Sequence, residues 1–257
     1  MAFKKHKLEG EKALRSELKE TVLTAFWALT IAFGLRTFVF QPFHIPSGSM
    51  QPTLVKGDYI ITTKYSLGYG KFAATPFPFP VKEGRLFERA PTRGDVIVFR
   101  PRNVDKNFIK RLVGLPGDEM QVLNGQLYIN GNPTEIKETG TEMRLDFRGR
   151  EDATNVQIET FSSGKSHAIY NDIEDSRGDN TGTFIVPAGH YFMMGDNRDH
   201  SADSRVPVSN GGAGYIPSEN LIGKAQFVLL SVTDDFSLFR PWTWANINGK
   251  RFFKAIK

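Results

Sequence analysis

Ser49 stands in the run Pro46-Ser47-Gly48-Ser49-Met50-Gln51-Pro52-Thr53-Leu54, and Lys110 stands further on in Phe108-Ile109-Lys110-Arg111-Leu112. A hydroxyl framed by Gly and Pro, with an amine on an apolar strand, suits nucleophilic hydrolysis once that amine is neutral. A free lysine, with a pKa of about 10.4, is only about 0.04% neutral at pH 7. Desolvation that lowers it to near 8 leaves roughly a tenth neutral. Strand alternation puts Phe108 and Leu112 on the Lys110 face, and Ile109 and Val113 on the Arg111 face. Both faces are apolar, so alternation does not choose between them. Chemistry does, because arginine stays protonated. Taken alone, the strand reads better as one with an edge lysine that discourages aggregation.

The other candidates for chemistry are weaker. The histidines are His6, His44, His167, His190 and His200. Spacing does not exclude a Ser-His-Asp triad, since triads assemble from distant positions; local context reads each histidine as exposed or hydrogen-bonded. Cysteine is absent, which excludes disulfides, thiolate nucleophiles and cysteine-based zinc sites. The run Gly195-Asp196-Asn197-Arg198-Asp199-His200-Ser201-Ala202-Asp203-Ser204-Arg205 offers hydroxyls and carboxylates that could orient a distant cation. Its competing readings are an Asp/Asn turn or a cation loop, though it lacks the Gly and Glu of an EF-hand. Gly164-Lys165-Ser166 is not a P-loop end, because position 159 is Glu. Arg93-Gly94-Asp95 and Arg177-Gly178-Asp179 read as turns.

These groups need elements to position them. Thr21 to Leu35 carry no charge, and with Arg36 snorkelling the apolar stretch runs to Phe40, about 30 Å of helix. Lys4, Lys5, Lys7, Lys12, Arg15 and Lys19 precede it, whereas Gln41 to Ile60 hold only Lys56. The positive-inside rule puts the N-terminus in the cytoplasm and the rest outside. A cleaved signal peptide is the rival reading, with Ser47-Gly48-Ser49 as its small-x-small site. The long n-region with Glu9, Glu11, Glu17 and Glu20 argues for a retained anchor. Nine extended residues from Phe40 reach only about 30 Å, so Ser49 lies near the membrane face.

Beyond the anchor, short apolar runs with Gly and Pro punctuation predict a mainly β domain. Strands are expected at 58–63, 95–99, 108–112, 119–123, 126–129, 183–186, 190–194 and 224–230. Asn124-Gly125 predicts a hairpin and Asn130-Gly131 a second turn. Residues 65–93 read as an exposed loop or hairpin, and the polar residues 132–182 as an inserted subdomain or long loops. The expected organisation is a cytoplasmic tail (1–20), a transmembrane helix (21–40), a catalytic β core in two parts (41–131 and 183–257) and the insertion (132–182). The tail from Phe236 is basic and aromatic, which suits a lipid headgroup interface or packing on the core. A net charge of +5 fits an anionic membrane surface. No nucleic-acid-binding signature accompanies it.

Three runs in this order resemble bacterial type I signal peptidases: 46–54, 109–118 (Ile109-Lys110-Arg111-Leu112-Val113-Gly114-Leu115-Pro116-Gly117-Asp118) and 195–205. The anchor before the serine and the run Arg93 to Phe99 are similar to that family too. The resemblance covers about Arg36 to Ala225 and is weakest over 132–182. It implies an antiparallel β catalytic domain with an inserted smaller subdomain after a single N-terminal transmembrane helix. It implies a Ser49/Lys110 dyad, an oxyanion hole from the Ser49 N–H and the Ser47 hydroxyl, and Ser201 hydrogen-bonded to Lys110. Asp203 and Arg205 would brace that loop. Phe43, Ile45, Met50, Leu54, Phe108 and Ile109 would line shallow pockets for small side chains. No cofactor or metal is implied. The expected partners are exported preproteins, each adding its signal peptide as a strand, and anionic lipids of the bacterial inner membrane; the catalytic domain faces the periplasm and the chain acts as a monomer. Some relatives carry two spans, and this chain shows one. A non-catalytic anchored β module is the alternative from another class, and a peptidase for other exported substrates is the third reading.

Overall fold

The structure, a computed structural model, describes residues 2–73, 81, 84–145, 151–173, 176, 178–233, 235–237 and 239–257. Parts of the expected 65–93 loop, of the 132–182 insertion and of the C-terminal tail therefore lie outside the described residues, as does Arg177. So do the side chains of Lys4, Lys5, His6, Lys7 and Lys12.

Helix α1 runs from Ala2 to Phe38, with Arg36 in its last turn. It starts well before the expected Thr21, because the Lys, Glu, Ala and Leu residues ahead of the apolar run are good helix formers. It stops before the expected Phe40, which pairs as a strand with Thr63. Arg15–Phe38, 24 residues, is long and apolar enough to cross a membrane, about 36 Å of helix. Its large side chains, among them Val22, Phe26, Trp27, Leu29 and Ile31, are exposed.

The strands follow in order: β1 (Phe40–His44), β2 (Asp58–Thr63), β3 (Val96–Phe99), β4 (Phe108–Gly114), β5 (Glu119–Leu123), β6 (Gln126–Ile129) and β7 (Asn132–Pro133). Then come β8 (Glu135–Leu145), β9 (Glu151–Thr160), β10 (Ser166–Tyr170), β11 (Phe184–Ile185), β12 (His190–Met194), β13 (Ile216–Pro217) and β14 (Leu221–Ser231). They form a main sheet β1-β2-β14-β3-β4-β12-β13 and two smaller sheets, β10-β9-β8 and β11-β5-β6-β7. The paired strands are antiparallel.

Local sequence explains several elements. All four residues of β3 are buried, as an uninterrupted apolar run requires. Asn124 and Gly125 both have positive φ, 48° and 76°, the geometry that a tight two-residue hairpin needs between β5 and β6. Alternation holds across β3 and β4: Val96, Val98 and Ile109 join one apolar cluster, while Ile97, Phe99, Phe108 and Leu112 join another.

In two regions the structure chooses between the expected alternatives. Tyr69 and Leu86 pair antiparallel and exchange backbone hydrogen bonds, as a hairpin does. Leu67 and Ala73 are buried, and the Arg85 guanidinium donates to the carbonyls of Leu67, Gly68, Ser218 and Leu221. In the polar insertion β8, β9 and β10 form a three-stranded sheet, a small subdomain rather than long loops, that turns Glu159 and His167 inward. Part of the tail packs on the core, as one of its two readings expects. Val228 donates to Lys254, Ile256 donates to Gln226, and Arg251 pairs with the buried Asp58, while Phe239, Trp242, Trp244 and Phe253 stay exposed.

Phe99 is fully buried beside Phe108, with ring centroids 6.2 Å apart. Phe99→Ala should cost about 3–5 kcal/mol, read as a lower denaturant midpoint at unchanged slope.

Candidate active site

The turn after β1 is set from below. Ile45, Met50 and Leu54 are buried in one cluster, so the backbone between them must bulge outward and carries Ser49 with it. Gln51 N–H closes on the Gly48 carbonyl and Leu54 N–H on the Met50 carbonyl. Ser49 is half-buried and Ser47 exposed, with their hydroxyl oxygens 3.4 Å apart.

Lys110 lies in the middle of β4, paired across to Ile97 of β3, and is only 4% exposed. Its Nζ donates to Ser49 Oγ. Burial lowers the Lys110 pKa to about 8; the charges of Asp203 and Asp196 oppose that shift and Arg205 adds to it. Burial alone does not single out this lysine. Lys64 is 0% exposed and is also lowered to about 8, first by burial and then by the Arg36 charge. However, the Lys64 amine faces the backbone carbonyls of Arg36 and Thr37, not a hydroxyl. Among the described residues no histidine hydrogen-bonds to Ser49.

The loop after β12 supports both partners. Asn197 N–H donates to the Ser49 carbonyl at 3.2 Å, and its side-chain amide donates to the Gly48 carbonyl at 3.2 Å. Gly195 is needed for this approach, because a Cβ there would collide with the Ser49 carbonyl and the Ser201 hydroxyl. The Asp203 carboxylate accepts from Gly195 N–H (3.0 Å) and from the Arg205 guanidinium at 2.9 and 3.0 Å. Burial pushes the Asp203 carboxyl up, but Arg205 and the Gly195 bond outweigh it and hold it below the usual range. Arg205 also donates to the Arg198 carbonyl at 2.6 Å.

A second layer lies behind. Arg111 forms a two-point bond to Asp196, both contacts 2.7 Å, and donates to Thr53 Oγ1 of the serine turn at 3.2 Å. Burial raises the Asp196 carboxyl and Arg111 more than reverses that. Arg198 donates to both oxygens of Glu159 on β9, at 3.0 and 2.5 Å. His167 on β10 sits 3.3 Å from Glu159. Burial, then the Arg111 charge, lowers the His167 pKa.

A serine with a buried amine at its hydroxyl, carried on this fold, can be compared with known proteins. The sequence profile described as "Signal peptidase, peptidase S26" matches residues 18–230. A signal peptidase I of Rickettsia typhi (strain ATCC VR-144 / Wilmington) is 42% identical over 220 residues, 83% of this chain and 81% of the relative. That of Rickettsia akari (strain Hartford) is 40% identical over 227 residues, 84% and 83% of the two chains. The chain belongs to the signal peptidase family, peptidase S26. It is a serine endopeptidase with an N-terminal helix suited to anchoring it in a membrane. A solved signal peptidase I from Enterococcus faecalis V583 shares 26% identity over 53% of this chain and 97% of that one, at a TM-score of 0.31.

The structure brings together Ser47, Ser49, Lys110, Asp203 and Arg205. Other expected details are not formed. Ser201 Oγ is buried without a hydrogen-bond partner, so the expected bond to Lys110 is absent; Ser201 packs instead against Gly195 beside the Ser49 carbonyl. Met50, Leu54 and Ile45 are core residues beneath the turn rather than an open pocket surface, because their side chains anchor it. Phe43 and Ile109 lie partly buried against that cluster, while Phe108 packs on the other face of β4. Arg93-Gly94-Asp95 is a paired turn, with Arg93 on Asp118 and Asp95 on Lys165 and Lys224.

The motifs alone assign no structural role to Asn197, Arg111 or Glu159, and read His167 as exposed or hydrogen-bonded. Asn197 and Asp196 lie in the 195–205 run, a signal that could have found them. Nothing local marks Glu159 or His167 as inward-facing. Asp196 and Arg111 are each about 1% exposed. Asp196→Ala leaves the Arg111 charge buried and unpaired, and should cost about 3–5 kcal/mol of stability by denaturant unfolding. Equal midpoints for the two proteins would contradict this.

Proposed function

We propose that this peptidase removes N-terminal signal peptides from exported preproteins at small-x-small sites, with Ser49 as nucleophile and Lys110 as its base. The observation that carries the reading is the contact of the buried Lys110 amine with the Ser49 hydroxyl. With Lys110 neutral, the contact reverses and the Ser49 O–H points at the amine lone pair. Ser49 Oγ attacks the scissile carbonyl as Lys110 takes the proton. The Ser49 N–H and the Ser47 hydroxyl stabilise the oxyanion, each worth about 3 kcal/mol. Lys110 returns the proton to the leaving amine, and the acyl ester is hydrolysed by water with the same base. Asp203 and Arg205 position the loop that holds the serine carbonyl, and Ser201 lines its approach.

The substrate adds as a strand. β1 stands at an edge of the main sheet and leads straight to the serine turn, which supports strand addition there. Phe43 and Ile109, partly buried against the cluster beneath the serine turn, limit the side chains that fit. The anchor spans the inner membrane with the basic N-terminus in the cytoplasm and the catalytic domain in the periplasm. The exposed Phe239, Trp242, Trp244 and Phe253, with the basic tail, suit anionic headgroups, and the chain acts as a monomer. The division into tail (1–20), span (21–40), two-part core and insertion (132–182) belongs to the same reading.

The tests follow from the base. Ser49→Ala and Lys110→Ala should each abolish cleavage of a preprotein with an Ala-x-Ala site, and Lys110→Arg should fail as well. A Lys110→Ala enzyme with full activity would remove the dyad. Because the amine acts when neutral and burial lowers it to about 8, wild-type kcat/KM for a fluorogenic Ala-x-Ala peptide should rise with pH and level off above that value. A profile flat from about pH 6 to 10 would contradict the role of Lys110.

A further inference from the structure

The end of α1 is held by two side chains of the β domain. Lys64, directly after β2, donates from Nζ to the carbonyls of Arg36 (2.9 Å) and Thr37 (3.1 Å). Its own N–H donates to the Val39 carbonyl at 3.0 Å. The Tyr69 hydroxyl donates to the Phe38 carbonyl at 2.7 Å, with the two rings edge-on 6.3 Å apart. Successive carbonyls from Arg36 to Val39 are thus taken by Lys64 and Tyr69. Helix ends normally leave such carbonyls to water, a cap glycine or a tightened last turn. A lysine amine suits the negative end of the helix dipole. Burying it, however, costs hydration, as its lowered pKa reports.

The position of this contact matters more than its strength. Only Val39 separates α1 from β1, and that joint would hinge if the last carbonyls were free. From Phe40 the chain runs as a strand paired to β2, and Ile45 N–H extends the ladder to the Asp58 carbonyl at 2.8 Å. The Thr62 hydroxyl adds a bond to the Gln41 carbonyl at 2.9 Å. Phe40 to Ile45 rises about 17 Å. The serine turn opens at its far end, itself held by Asn197 and by the buried Met50 and Leu54. Once the joint at Val39 is closed, no free joint remains between the membrane span and Ser49.

We infer that Lys64, with Tyr69, is a positioning residue that locks the anchor helix to β1, so that the height of Ser49 above the bilayer selects which bond of a membrane-held preprotein is cut. This rests on the function proposed above. A substrate whose hydrophobic segment is fixed in the same membrane presents its bonds at set heights. A rigid spacer reads that height, and a hinged one averages over several. A short soluble peptide has no such height and does not feel the joint.

The test uses the full-length enzyme in proteoliposomes. The membrane substrate carries two identical Ala-x-Ala sites about four residues apart, ~13 Å of extended chain, after one hydrophobic segment. Mass spectrometry of the product N-terminus reads the choice of site, and a soluble fluorogenic Ala-x-Ala peptide reads the chemistry. Wild type should prefer one site by about tenfold or more, as a rigidly oriented enzyme does. Lys64→Met with Tyr69→Phe should reduce that preference to within about threefold while kcat/KM for the soluble peptide stays within about twofold. Tyr69→Phe alone, which removes only one hydroxyl at the surface, should give an intermediate preference. Unchanged site choice in either variant overturns the inference. If Lys64→Met loses the soluble-peptide activity too, Tyr69→Phe decides: normal site choice overturns the inference and a broadened one supports it. A wild type that cuts the soluble peptide but neither membrane site overturns the proposed substrate, and this inference with it.

Discussion

The removal of water from Lys110 is the constraint on which the site depends. A strand lysine in solvent is a cation and useless as a base; the same lysine between β3 and β12 loses part of its proton affinity. The nearby carboxylates work against this. Asp203 and Asp196 both favour the charged amine, and burial outweighs them. Each carboxylate is also bonded by an arginine. Arg205 takes Asp203 and Arg111 takes Asp196, at distances of 2.7 to 3.0 Å. Arg205 also acts on the amine itself, its charge adding to the effect of burial on Lys110.

The same pairs tie distant parts of the chain to the serine turn. Arg111 reaches Thr53 in the turn, Asp196 begins the loop whose Asn197 holds Gly48 and Ser49, and Arg198 carries the network to Glu159 on the small sheet. The polar segment 135–170 is thus more than surface decoration. Its buried carboxylate lies behind the loop, where Arg198 meets both Glu159 oxygens and the Thr134 hydroxyl adds a bond at 3.0 Å, which makes its burial tolerable. The C-terminal segment contributes in the same way, since Arg251 pairs with Asp58 and donates to the Thr53 carbonyl at 3.0 Å.

Elements with a strong local cause were legible before any coordinates. The apolar run of β3 had to be buried on both sides, Asn124-Gly125 had to turn, and the uncharged stretch after Thr21 had to be helix. The serine and lysine were legible as candidates, although the strand alone did not distinguish a base from an edge lysine; resemblance did that. The misreadings share one cause. Met50 and Leu54 look like pocket walls in a motif, but a turn that displays Ser49 needs anchors beneath it, and they are the anchors. Ser201 is in the expected place without the expected bond, and a motif does not specify where a hydroxyl points. For residues 65–73 and 84–93, Gly, Pro and Phe give no periodicity to choose between loop and hairpin; the Tyr69–Leu86 pairing and the Arg85 bonds to backbone carbonyls make the choice.

By itself the sequence determined the membrane-length helix, the β character of the rest and the chemical types available to the site, because helix length, alternation and side-chain pKa are local properties. Only the tertiary structure decided which hydroxyl Lys110 meets, that Lys64 meets none, and which carboxylates are held by which arginines. Those outcomes depend on contacts between residues far apart in the chain, and on the water that packing excludes between them. No local pattern encodes either.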